Sequence, residues 1–162
     1  MSKLARRSFL KKSLAAGAVF TISGTQAGRT VLGANDTIRV AVTGIHGRGG
    51  DHISEWMKID GVQVTCLIDP DSRTFAERVK QVEKLGGKTP KTLQDVRRAL
   101  EDKEIDVLSI ATTNHWHSLS TIWACQAGKD VYVEKPCSHN VHEGRVCVEA
   151  ARKYNRIVQH GT

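Results

Sequence analysis

Four short polar clusters, each placed after an apolar run, carry the side chains that could do chemistry. The first is Gly44-Ile45-His46-Gly47-Arg48-Gly49-Gly50. A phosphate-binding turn of the dinucleotide type needs glycine at a tight turn, at the approach to the pyrophosphate, and where helix packs on strand. Helix N-terminal amides then face the phosphates. Gly44 and Gly49 fill the first and third places of G-x-G-x-x-G, His46 takes the second and Gly47 follows it. Gly44, His46, Gly47, Arg48 and Gly49 are therefore candidate pyrophosphate contacts, on a match that is imperfect by itself.

The second cluster opens at Asp69, 25 residues past Gly44. A carboxylate there can accept hydrogen bonds from adenosine ribose hydroxyls and would repel a 2′-phosphate, favouring NAD over NADP. The alternative is a strand-end Asp that begins a turn with Pro70-Asp71. Arg73 is the type of residue an NADP site would use, so NADP stays open.

The third cluster is Thr112-Thr113-Asn114-His115-Trp116-His117. Its His-x-His pair could bind a metal, but no further ligand stands at a sensible spacing, and no metal is expected. The cluster can instead pass beside a nicotinamide ribose, or Asn114 can cap the next helix. The fourth is Glu134-Lys135-Pro136, in which Lys135 could hydrogen-bond a ribose and a substrate hydroxyl. A surface ion pair between Glu134 and Lys135 is an equal reading.

These clusters need a scaffold that brings them to one edge. Apolar, β-branched runs alternate with segments of helical period, and no repeat or proline-rich linker intervenes. Strands are predicted over 38–43, 62–68, near 88–89, over 107–111, 131–133 and 157–159, with helices over 48–58, 72–85, 93–101, 118–127 and 141–154. Strands separated by helices of about ten residues require crossovers, hence a parallel sheet covered on both faces, a doubly wound α/β domain. Ligands in such sheets bind beyond the carboxyl ends of the strands, where all four clusters fall.

The chain has 162 residues and 24 Lys+Arg against 17 Asp+Glu, a balance that invites a polyanion as partner. The excess is local. Residues 1–34 hold Lys3, Arg6, Arg7, Lys11, Lys12 and Arg29 and no acid, which leaves 18 basic against 17 acidic residues in the remainder. Nucleic acid is therefore not an expected partner. The basic start, the apolar run 14–20 and the small polar stretch after it have the form of an export signal. Arg6-Arg7-Ser8-Phe9-Leu10-Lys11-Lys12 resembles the twin-arginine motif, an address read by the export machinery rather than an anchor. The apolar run is too short to span a bilayer, so the expected location is the periplasm, without a stable membrane anchor. Cys66, Cys125, Cys137 and Cys147 form no C-x-x-C pair, and Cys66 and Cys125 read as buried small hydrophobes.

Taken together, the motifs resemble the Gfo/Idh/MocA family of nicotinamide-dependent sugar oxidoreductases. The resemblance spans 36–162 and rests on the 38–44 run, Gly47-Arg48-Gly49, Asp69, Thr112 to His117, Ala127-Gly128-Lys129-Asp130-Val131-Tyr132-Val133-Glu134-Lys135-Pro136 and Glu149-Ala150-Ala151-Arg152. It implies a Rossmann-like dinucleotide-binding domain over 36–162, with Gly44, Gly47 and Gly49 at the pyrophosphate and Asp69 at the adenosine ribose. Thr112, Asn114 and His117 would stand on the nicotinamide side. Lys135 would be the active-site lysine, placed by Glu134. The family carries a second α/β domain that binds the sugar and supplies a general base, so an isolated N-terminal domain, inactive alone, is expected here. A non-catalytic nucleotide-binding or interaction module is the rival expectation.

Overall fold

Val40, Ala41 and Val42 leave no polar face on the first predicted strand, so it must be covered on both sides. A computed structural model, which describes residues 37–162, places it at the centre of the sheet, with all three residues fully buried. The proposed export segment lies outside the described residues. Six parallel strands, β1 (Ile38–Thr43), β2 (Val62–Ile68), β3 (Lys91–Leu93), β4 (Val107–Ile110), β5 (Asp130–Val133) and β6 (Val158–His160), stand in the order β3-β2-β1-β4-β5-β6. Between them run helices α1 (Gly49–Trp56), α2 (Phe75–Lys84), α3 (Val96–Leu100), α4 (His117–Gln126) and α5 (Val141–Lys153). Short 3-10 turns at Ser72–Thr74 and Asn114–Trp116 precede α2 and α4. This is the doubly wound Rossmann arrangement, with its strand order reversing between β1 and β4.

The two faces have separate cores. Val40, Val42, Val62, Val64 and Leu67 pack with Ile53 and Val82 of α1 and α2, while Ala41, Cys66, Ile68, Leu108, Ile110, Val131 and Val133 pack under α3, α4 and α5. A bulge on β2 makes this division possible. Val64 pairs with Val40 but Cys66 with Ala41, so Thr65 is unopposed and the side-chain alternation reverses after it. Ser109 and Tyr132 interrupt the apolar pattern on the α1 side, where they meet His52 and Trp56.

Two predicted elements moved. The third strand lies at Lys91–Leu93 rather than near 88–89, because Pro90 has no N–H to give to a ladder. The following helix therefore starts at Val96 and not at 93, with the Asp95 carboxylate accepting from the Arg97 amide at 2.9 Å as its cap. Elsewhere the ends shifted by up to three residues, the 72–85 helix opening with the 3-10 turn Ser72–Thr74, and the last strand slid to Val158–His160.

All four cysteines are free thiols, Cys66 and Cys125 buried as expected. Burial pushes the Cys66 thiol up to about 12 and that of Cys125 to about 11, which keeps both protonated and inert. Lys129 is buried too, and its ammonium donates to the carbonyls of Asp102 and Ile105 at 2.7 and 2.8 Å, pinning the turn before β4. Among the described residues no helix is long and apolar enough to cross a membrane, and no three His, Cys, Asp or Glu side chains are grouped to hold a metal ion.

Candidate functional site

The turn after β1 reverses at Gly44, whose φ of +81° is strained for any residue with a side chain. A Cβ there would stand 2.6 Å from the Thr112 nitrogen and 2.7 Å from the Ala111 carbonyl. Gly49, first residue of α1, lies directly on the turn, and a Cβ on it would overlap the Gly44 carbonyl oxygen. The two glycines thus bring the start of α1 against the end of β1. Gly47 has open space around its Cβ position.

The amides of this loop divide into two groups. Gly44 N–H donates to the Ile68 carbonyl and Ile45 N–H to Asp69 Oδ2, both at 2.9 Å. Among the described residues, the amides of His46, Gly47, Arg48 and Gly49 have no acceptor. Consecutive unpaired amides at a helix start, at the positive end of its dipole, are suited to an anion.

His46, Gly47 and Arg48 of this run border a cavity of about 620 Å³ at the carboxyl ends of β1, β2 and β4. Gly44, His46, Gly47, Arg48, Asp69 and Thr112 all line it, so six of the candidate residues are brought together. Asp69 is buried, and its carboxylate makes the turn expected of a strand-end Asp together with a contact to the glycine loop. One carboxylate oxygen accepts the Asp71 amide at 2.9 Å and so begins the turn, while the other holds the glycine loop through Ile45. Arg73 is engaged by Asp71, with Nη2 and Oδ2 at 2.7 Å, and this pairing holds the Asp71 carboxyl down at about 2. Trp116 and Trp123 form an aromatic wall, with ring centres 6.4 Å apart. Neither was singled out as a site residue. Trp116 stood beside the His-x-His pair and Trp123 inside a helical apolar pattern, and neither placement signals which cavity the ring borders.

Two residues of the β4 cluster depart from expectation. Asn114 caps neither the 3-10 turn nor α4, and its side chain is exposed. His117 does not line the cavity. It is 2% exposed, with Nδ1 at 2.7 Å from the Pro136 carbonyl and Nε2 at 2.9 Å from that of Thr112. A neutral ring can donate to one of these carbonyls and an imidazolium to both. The ring ties the loop after β4 to the loop after β5.

Glu134 is not the surface partner of Lys135. Its buried carboxylate accepts from His52 Nε2 and Arg48 Nε, each at 3.0 Å, and from the Lys135 amide at 3.2 Å. Burial acts to raise the Glu134 carboxyl, but the His52 and Arg48 donors and the Lys135 amide outweigh it and hold it at about 2. Behind His52, Nδ1 meets Ser109 Oγ at 2.9 Å, and Ser109 Oγ accepts the Trp56 indole N–H at 2.9 Å. Glu134 thereby fixes the Lys135 backbone and leaves the exposed ammonium at the edge of the β5 loop. His52, Ser109 and Trp56 were missed. The available signal was a histidine beside Ile53 on the inward side of α1 and a serine inside an apolar strand.

Comparisons with known proteins agree with this geometry. A family model described as GFO_IDH_MocA, an oxidoreductase family with an NAD-binding Rossmann fold, matches residues 38–162. A glycosyl hydrolase family 109 protein of Shewanella pealeana is 29% identical over 171 residues, covering 93% of this chain and 38% of that protein. The crystal structure of an NAD binding oxidoreductase from Klebsiella pneumoniae superposes with a TM-score of 0.67 at 25% identity, covering 77% of this chain and 34% of that one. The WlbA dehydrogenase of Chromobacterium violaceum, solved with NADH and UDP-GlcNAcA, shares the fold at a TM-score of 0.73 and 19% identity, over 82% of this chain and 37% of that one. The chain thus spans little more than a third of the length of these proteins.

Proposed function

The chain belongs to the Gfo/Idh/MocA oxidoreductase family, with an NAD-binding Rossmann fold, and from that premise we propose that residues 38–162 hold NAD for an exported oxidoreductase acting on a carbohydrate-like alcohol. The observation that carries this reading is the run of four acceptorless amides, His46 to Gly49, of which His46, Gly47 and Arg48 line a cavity with Asp69. When bound, the nicotinamide takes or supplies the hydride exchanged with the hydroxyl-bearing carbon.

The chain's own residues bind and orient. The loop amides, with Arg48 beside them, receive the pyrophosphate, and Asp69 keeps lone pairs for the adenosine ribose. Because Arg73 is already paired with Asp71, the carboxylates at this end disfavour a 2′-phosphate. Thr112 and Asn114 serve the nicotinamide side, and His117 holds their loop through the Thr112 carbonyl. Lys135, held through its amide by Glu134, orients and polarises the substrate hydroxyl, whose proton passes to a base on polypeptide outside residues 38–162. On this reading the 162-residue chain binds dinucleotide and turns over little by itself.

Titration of the chain with NADH tests the proposal. Two of the three tryptophans, Trp116 and Trp123, line the cavity and Trp56 does not. NADH should therefore quench indole emission, Trp56→Phe should keep the quench, and the Trp116→Phe/Trp123→Phe double variant should lose most of it. NADPH should bind at least about tenfold more weakly, and Asp69→Ala should narrow that ratio. A chain that binds neither nucleotide would sink the reading.

The relationship to the Shewanella protein favours a second reading, hydrolysis of a glycosidic bond, over the same cofactor site. Net formation of NADH during turnover of the whole protein identifies the oxidoreductase, and product release without net redox change identifies the hydrolase. Export through the twin-arginine route belongs to the same proposal. It is supported by the Arg6-Arg7 motif and by four free thiols, as expected of a chain that folds in a reducing cytoplasm before transport. Replacing Arg6 and Arg7 by lysine together should hold the protein in the cytoplasmic fraction, and its continued appearance in the periplasm would exclude this route.

A further inference from the structure

The second place of the glycine fingerprint is occupied by His46, yet the backbone there presents an acceptorless amide beside the cavity. What a phosphate needs at that point is an N–H with the correct aim, and α2 supplies a device that sets the aim. Arg78 Nε donates to the Ile45 carbonyl at 2.8 Å and Nη2 to the His46 carbonyl at 2.9 Å. The third contact of the fork, Nη1 to Gln81 Oε1 at 2.9 Å, locks it from below. Gln81 is anchored in turn on α1, its Nε2 donating to the Gly50 carbonyl and to Ser54 Oγ at 2.8 and 2.9 Å.

The consequence follows from peptide planarity. Among the described residues the cis bond is Lys135–Pro136, so the Ile45–His46 and His46–Gly47 peptides are trans. In a trans peptide the C=O and the following N–H point in opposite directions. Holding the carbonyls of Ile45 and His46 toward α2 turns the amides of His46 and Gly47 away from it, toward the cavity.

We propose that Arg78 is a positioning residue for dinucleotide binding, aiming the His46 and Gly47 amides by holding the two carbonyls behind them. The proposal rests on the dinucleotide reading above and adds to it the group that makes a histidine acceptable at the second place. Two carbonyls at a fixed spacing call for a rigid planar fork, which lysine cannot supply.

Gly50 offers a way to move the fork without removing it. A Cβ at Gly50 would stand 2.8 Å from Arg78 Nη1 and 2.9 Å from Cζ, so the guanidinium must shift to admit it. On helix propensity alone Gly50→Ala should raise the melting temperature, since alanine favours a helix interior over glycine. Displacement of Arg78 instead predicts a loss of binding, so the two effects separate.

The test compares the unsubstituted 162-residue chain with Arg78→Met, Arg78→Lys, Gly50→Ala and the Arg78→Met/Gly50→Ala double variant. Amide ¹⁵N–¹H resonances of residues 46 and 47 are read without nucleotide, and affinity is read by NADH titration. Arg78→Met and Gly50→Ala should each weaken NADH roughly tenfold or more, the scale of losing charge-assisted hydrogen bonds, with Arg78→Lys intermediate. Both should move the two amide resonances in the same sense. The double variant should fall no further than Arg78→Met, because both act through one group. If Arg78→Met does not fold, Gly50→Ala decides, as it retains every atom of Arg78. Unchanged amide resonances and NADH affinity within twofold of a binding parent overturn the role of Arg78 and leave the dinucleotide reading standing. A parent chain that binds no NADH overturns the dinucleotide reading itself.

Discussion

Gly49→Ala is expected to abolish measurable dinucleotide binding and to lower stability. The added Cβ meets the carbonyl oxygen of Gly44, with the Gly44 carbonyl carbon at 3.0 Å and Ile45 Cγ2 at 3.6 Å. The first two are backbone atoms of the turn that ends β1, so no side-chain rotation relieves the clash. The start of α1 must slide away from the sheet, against the packing of fully buried Ile53 on Val40 and Val42. Overpacking of this kind costs about 1–3 kcal/mol, which near the midpoint lowers the melting temperature of a domain this size by roughly 5–15 °C. The amides of His46 to Gly49 move with the helix, and a displacement of about 1 Å at oriented groups is enough for a loss on the order of a hundredfold. Gly47→Ala is the internal control, because no atom stands within 4 Å of its Cβ position. It should melt with the parent chain, and any loss of NADH affinity it shows then reports a methyl group in the space of the ligand. A Gly49→Ala chain with parental melting and parental affinity would contradict the close approach on which the site is built.

What could be read from the sequence was local. Gly44, Gly49 and Asp69 announce themselves by residue type at the end of a strand, and their contacts are mostly with their own loop or with the neighbouring strand. The doubly wound sheet was legible for a related reason, since apolar runs separated by helical segments admit few topologies. The third strand was not, because three residues behind Pro90 form a ladder only through β2, which the local pattern does not reveal. The long-range partners were hidden in the same way. Glu134 and Lys135 are adjacent and invite an ion pair, yet the carboxylate is claimed by His52 and Arg48, more than eighty residues earlier in the chain. Arg78 reads as one more solvated charge on an amphipathic helix until Ile45 and His46 are found at its tip. His117 opens its helix where a loop ligand was expected, but α4 turns the ring inward to two carbonyls. In each case the residue type showed that something polar was there and the fold decided what it touched.

Glu134 gives the second large effect, in the acid limb of stability. Its carboxyl is held at about 2 in the folded chain against an ordinary 4.5. The folded state therefore binds the proton less readily than the unfolded chain, and the ionised group adds stability that is fully present above its ordinary value. That stability is lost as the pH falls from about 4.5 through about 2, where protonation removes the charge that His52 and Arg48 donate to. The shift corresponds to about 3 kcal/mol for this buried side chain. Denaturant unfolding of the parent and of Glu134→Gln should differ by that order at pH 7 and converge as pH 2 is approached, because the amide cannot ionise at any pH. His52→Leu should act in the same direction by a different route. With one donor gone, the Glu134 carboxyl rises toward its ordinary value, so the acid loss of stability still begins near pH 4.5 but is smaller and is complete at a higher pH. A gap between parent and Glu134→Gln that stays constant from pH 7 to pH 3 would show that the carboxylate is not the charged centre of this network. A converging gap means that one buried anion holds Arg48 of the glycine loop and the amide of Lys135 together. The dinucleotide end and the lysine end of the site are then set by the same group, and substitutions at His52, far from either ligand, should disturb both.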